Sequence, residues 1–198
     1  RGQAWSFGKN KVQYQQFEWS ILKTPHFDIH FSEGYRELAA RSGVMLEDGY
    51  RDLSIRFDHH IKWRIPVIIY GSHSAFQQTN TTWSIISEGV QAFAEPNRRR
   101  VVLHFSGSNE DYRDTSVHEL IHIFEFDMIY GNLLKSAFSR SMLFRIPLWF
   151  AEGISEYYSK GYDDEVEMFM RDAAVFDYLP RNLDYTSGYM VYKAGQSV

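Results

Sequence analysis

The stretch HELIHIFEF, His118 to Phe126, sets two histidines four positions apart with a glutamate directly after the first. On a helix, positions i and i+4 share a face one turn apart, so both imidazoles can aim at one ion. Glu119 lies about 100° round from His118, near enough to reach a water on that ion and badly placed to be a ligand itself. Val117, Leu120, Ile121, Phe124 and Met128 occupy the opposite face and can pack in a core. The same pattern also fits an ordinary amphipathic helix carrying two satisfied histidines, so the choice rests on what surrounds it.

Upstream, the chain reads as mixed α/β. HFDIHF (His26 to Phe31) alternates, with Phe27, Ile29 and Phe31 on one face of a strand. A helix is expected from Tyr35 to about Arg56, with Leu38, Val44, Met45 and Leu53 along one stripe. IPVIIYG (Ile65 to Gly71) reads as a buried strand. GVQAFAEPNRRRVVLHF reads as two strands around a turn at Pro96 and Asn97, the second running from Val101 to Phe105. The histidine helix is expected from about Tyr112 to Tyr130, closed by Gly131 and Asn132. Downstream, everything reads as helical. PLWFAEGISEYYSK has Pro147 at its start and Gly161 just past its end. Two more helices are expected over about Asp164 to Phe176 and from Ser187 onward. The expected fold is therefore α+β in a single domain over 1–198. A mixed-sheet part (about 26–110) is followed by the histidine helix and a helical part (about 111–198).

Composition narrows the function. A net charge of −4 gives no footprint for nucleic acid, and no apolar run is long enough to span a bilayer. The absence of cysteine excludes disulfides and thiol catalysis, and leaves any metal to His, Asp and Glu. The start RGQAWSFGKN reads as a processed or trimmed end, and more protein is expected beyond YKAGQSV.

Catalytic zinc needs a third protein ligand and an open fourth position. The three-histidine pattern H-E-x-x-H-x-x-G-x-x-H is excluded, because Glu125 stands at the glycine and Met128 at the third histidine. The other common solution is a carboxylate from a later helix. PLWFAEGISEYYS offers Glu152 and Glu156, one turn apart on one face. One can bind the metal while the other accepts the free ring N–H of a ligating histidine. Gly153 inside that helix costs about 1 kcal/mol against alanine, which a close helix–helix approach would explain.

HELIH followed by WFAEGISEYY resembles the gluzincin metallopeptidases, the clan of thermolysin and the zinc aminopeptidases. It is most similar to the peptidase-MA-like domains found ahead of Tol-type β-propellers in secreted bacterial proteins. The resemblance covers roughly Phe27 to the C-terminus in element order and implies a zincin-like fold. It implies a zinc ion (Zn2+) held by His118, His122 and Glu152, with Glu156 behind a histidine and Glu119 as general base. YKAGQSV is similar to the segment whose tyrosine steadies the tetrahedral intermediate in zinc aminopeptidases, which points to Tyr192, with Tyr185 and Tyr189 as rivals. The strand Val101 to Phe105 would be the edge that pairs with an extended peptide. His122 and Glu152 lie farther apart than in zinc aminopeptidases, which fits an insertion (GNLLKSAFSRSMLFRI, Gly131 to Ile146) lining or covering the cleft. The G-x-M-E-N motif that anchors a free amine is missing, so an endopeptidase is expected rather than an aminopeptidase. The implied substrate is a peptide or protein, the implied location periplasmic or secreted, and the implied neighbour a C-terminal β-propeller or other domain. The alternative is a catalytically weak or inactive module of the same fold serving a partner domain, and a retained Glu119 argues against it.

Three further signals have plain explanations. Arg98 to Arg100 reads as a solvated hairpin edge, and His59 and His60, being adjacent, diverge. The acidic run Asp163 to Glu167 suits a helix N-terminus.

Overall fold

A computed structural model describes residues 14, 16–80, 82, 86–95, 98–130, 146–185 and 188–198. The expected turn at Pro96 and Asn97, the cap at Gly131 and Asn132, and all but Ile146 of the expected insertion lie outside the described residues.

Among the described residues the architecture is mixed: one five-stranded sheet and six helices. The strands are β1 (Trp19–Lys23), β2 (Phe27–Ser32), β3 (Ile65–Tyr70), β4 (Ala92–Glu95) and β5 (Arg100–His104). Their order is β1-β2-β3-β5-β4. The two inner pairings, β2 with β3 and β3 with β5, are parallel, and both outer strands run antiparallel. The helices are α1 (Arg36–Arg56), α2 (His73–Phe76), α3 (Asn109–Tyr130), α4 (Leu148–Lys160), α5 (Asp164–Val175) and α6 (Tyr189–Gln196).

Alternation explains the sheet's core face. Register places Ile29 beside Val67 and Val67 beside Val101, with Phe31, Ile69 and Leu103 in the next row. All six are buried against α1 and α3, where Leu46, Tyr50, Leu53, Leu120, Ile121 and Phe124 complete the core. The opposite sheet face carries a smaller cluster of Tyr70, Phe76 and Val102. Val44, expected on the buried stripe of α1, is instead 67% exposed. The buried row runs through Ser42, Gly43 and Leu46, because small residues let the helix lie close to the sheet.

The strand Val101 to Phe105, expected at the edge of the sheet, is an inner strand. β5 is not an edge: it lies between β3 and β4, and the outer strand on that side is β4. α3 begins at Asn109, three residues earlier than expected, because the Ser108 hydroxyl accepts the Asp111 N–H at 3.2 Å and acidic residues fill the first turn. α4 ends at Gly161, whose φ of 80° is strained for any residue with a Cβ. Among the described residues no helix is long and apolar enough to cross a membrane.

The arginine run is more than a solvated edge. Arg100 is mostly buried and paired with Glu95, and the Arg99 guanidinium sits over the Trp63 ring. His59 and His60 lie beyond the end of α1. His59 bonds Asp127 at 2.9 Å, while His60 is exposed.

Candidate metal centre

α3 runs beneath β4 with its apolar face on the sheet and its histidine face toward α4. His118 and His122 rise from adjacent turns of α3, and Glu152 comes from the first half of α4. The Nε2 atoms of the two histidines are 3.2 Å apart. Glu152 Oε2 lies 3.2 Å from the first and 3.5 Å from the second. An ion with tetrahedral bonds of about 2.0–2.1 Å would set its ligands about 3.4 Å apart. The three observed edges bracket that value, so the donor set fits an ion without rearrangement. Among the described residues this is the one group of three such side chains able to hold a metal.

The outward ring nitrogens are also partnered. His118 Nδ1 lies 3.4 Å from Glu156 Oε1, and His122 Nδ1 lies 3.1 Å from Glu125 Oε2 and 3.3 Å from Ser155 Oγ. Each imidazole can therefore donate backward while its Nε2 lone pair faces the metal position. Lys160 holds Glu156 from the far side at 3.1 Å. Glu119, half-buried beside the trio, accepts a backbone hydrogen bond from Ala94 of β4.

Electrostatics follow from burial and crowding. For His122, burial opposes the charge, but hydrogen bonds to Glu125 and Glu152 and the Glu119 charge overcome it and push the pKa up to about 10. His118 is raised as well, burial being outweighed by Glu152 and Glu156. Burial would lift Glu152, yet the two imidazoles hold it down at about 2. Burial pushes Glu119 up; His122 and His118 pull it back, and Glu152 adds to the rise.

These shifts have signs that can be measured. In the metal-free protein, charged His122 stabilises the fold fully below its ordinary 6.5, and the gain is lost as pH rises through about 10. Ionised Glu152 stabilises above its ordinary 4.5, lost as pH falls toward about 2. An ion needs neutral imidazoles, so binding at neutral pH must expel the proton from His122, and His118, also raised, adds to the release. Apparent metal affinity should rise by about 1–2 log units per pH unit between about pH 5.5 and 8. Titration calorimetry in buffers of different ionisation heat should show about 1–2 protons released per ion. Binding with no proton release would contradict this arrangement.

α6 closes the site. A Cβ on Gly153 would lie 2.3 Å from the Gly195 carbonyl carbon, so α4 and α6 touch backbone to backbone. That contact brings Tyr192 over the site, its ring centroid 6.4 Å from that of His118. Burial and then the carboxylates Glu152, Glu119 and Glu156 raise its pKa and keep it a proton donor. Tyr189 is exposed and its hydroxyl donates to Glu165, while the side chain of Tyr185 lies outside the described residues.

No family model matches the chain, and no curated protein matches it. Two hollows of about 380 and 430 Å³ meet at Ala92, His118, Glu119 and Tyr192. The first is polar, with Asp111, Asp114, Thr115 and Lys160; the second is largely apolar, with Phe93, Phe126, Leu148 and Ala151. The five residues expected to act together, His118, Glu119, His122, Glu152 and Glu156, do converge, and Tyr192 lines both hollows. Glu125 and Ser155 were not anticipated. The signal for Glu125 was its spacing, three residues after His122 on the same face. Ser155 carried none.

Proposed function

We propose that this protein is a zinc-dependent endopeptidase of the gluzincin type, with a zincin-like fold. The observation that carries the proposal is the His118–His122–Glu152 triangle with Glu119 beside it but outside it. The triangle's edges of 3.2, 3.2 and 3.5 Å bracket the ligand spacing that tetrahedral zinc would impose. Thiolate-seeking ions find no cysteine here.

Bound zinc supplies Lewis acidity, lowering the pKa of a water toward about 7 and polarising a scissile carbonyl. The chain's own groups do the rest. The Glu119 carboxylate takes the attacking water's proton and passes it to the leaving amine, a role suited to a carboxylate beside the trio but outside it. The Tyr192 hydroxyl donates to the oxygen that becomes negative, where one donor is typically worth about 3 kcal/mol. β4, as the outer strand over the site, offers backbone groups to an extended peptide. Among the described residues the cleft continues on both sides of the trio, which suits cleavage within a chain and not only at its end.

The test uses purified protein and an unstructured peptide blocked at both termini. About one zinc per chain and internal cleavage that a chelator stops and zinc restores are expected. A wild type that takes up no zinc would sink the proposal. Zinc binding with no cleavage of any peptide would leave the alternative, a binding module of the same fold.

A further inference from the structure

The helix that carries both histidines carries a third residue on the same face. His118, His122 and Glu125 stand at i, i+4 and i+7. Glu125 is only 6% exposed, and its two oxygens are used unequally. Oε2 meets His122 Nδ1 at 3.1 Å, while Oε1 is buried with no hydrogen-bond partner. Leaving a buried acceptor unpaired is costly, and more so for a carboxylate. An apolar side chain would suit packing here better. What the carboxylate provides is its contact with His122.

We propose that Glu125 is a positioning residue for the metal centre: it accepts the Nδ1 proton of His122, with Ser155 Oγ beside it, and so aims the Nε2 lone pair at the ion. The inference rests on the metal-site reading above. It makes the two histidines equivalent in support, since Glu156 from α4 serves His118 as Glu125 from α3 serves His122. The two supports differ in charge. Lys160 offsets Glu156, whereas among the described residues Glu125 pairs with His122 alone. The Glu125 carboxylate thus meets His122 with no cation drawing on it from the far side.

The test measures zinc affinity of the full chain by competition with a chromophoric chelator, for wild type, Glu125→Gln and Glu125→Leu. Gln keeps an acceptor at the same reach and removes the charge; Leu removes both. Zinc should bind about 10–100-fold more weakly to the Leu variant, with the Gln variant between it and wild type. In the zinc-loaded proteins, nitrogen NMR should show the His122 Nδ1 proton exchanging slowly with water in wild type and quickly in the Leu variant. Affinities of both variants within about twofold of wild type would overturn the proposal, since loss of a positioning partner costs at least about tenfold. If the Leu variant does not fold, the Gln variant decides on the same scale: weaker zinc binding supports the assignment, and unchanged binding overturns it. Failure of wild type itself to bind zinc would refute the metal-site reading, and is distinguished by appearing before any substitution is made.

Discussion

Replacing Glu119 by glutamine is expected to leave zinc content at the wild-type level and to lower peptide hydrolysis by about 10²–10⁴-fold, the usual contribution of a general base. The separation of the two effects comes from geometry. Glu119 is not among the three residues whose donor atoms converge, so the ion loses no ligand. Glutamine has the same length, and its amide oxygen can still accept the Ala94 N–H, so β4 keeps its seat over the site. What disappears is the capacity to take a proton. The same substitution at Glu152 should behave differently, because there the carboxylate lies 3.2 Å from His118 Nε2 and within the triangle; zinc itself should be lost. Zinc content by mass spectrometry and initial rates on one peptide suffice for the comparison. A Glu119→Gln protein that hydrolyses peptide at the wild-type rate would remove Glu119 from the chemistry.

How much of this was legible in the sequence depends on whether a feature is periodic or relational. The strands β2, β3 and β5 were legible because Phe27-Ile29-Phe31, Ile65-Val67-Ile69 and Val101-Leu103 alternate. The face of α3 carrying Leu120, Ile121 and Phe124 was legible because burial repeats with the helical period. Which strand lies at the edge was not. An alternating run records that one face is buried, and β5 alternates whether or not β4 covers its flank. β1 was missed because it is an edge strand with mostly exposed side chains, so Trp19 to Lys23 lacks a buried face to betray it. Val44 shows the limit of counting apolar residues, since it is apolar and turned to solvent, while Ser42 and Gly43 beside it are buried. In the site, His118, His122, Glu152 and Glu156 were legible as pairs spaced by one turn. Glu125 stood in plain sight and was used only to exclude a third histidine. Its partner was three residues away, but whether the ring turns toward it depends on where α4 places Glu152 and Ser155.

Gly153→Ala should be strongly disruptive despite adding only one methyl. Helix propensity alone favours alanine by about 1 kcal/mol, so an unpacked position would be stabilised. Here the new Cβ would sit 2.3 Å from the Gly195 carbonyl carbon, against a normal carbon–carbon separation of about 3.5–4.0 Å. The neighbour is backbone and cannot rotate away, so α4 and α6 must separate by more than about 1 Å. Overpacking of that kind outweighs the propensity gain. A net loss of about 2 kcal/mol and a melting temperature lower by about 4–8 °C are expected. Function should suffer beyond stability, because Glu152 is the residue before Gly153 and Tyr192 rides on α6. On the proposed mechanism, moving one helix from the other shifts Tyr192 against Glu152, and a misplacement of about 1 Å can cost about 10²-fold in rate. Gly195→Ala meets the Trp149 carbonyl oxygen at 2.1 Å and should behave alike. The double substitution is the discriminating experiment. Once the helices have parted for one methyl the second finds room, so the combined loss should fall well short of the sum of the two. Simple additivity, or an alanine variant as stable and active as wild type, would mean that the two helices do not meet at these glycines.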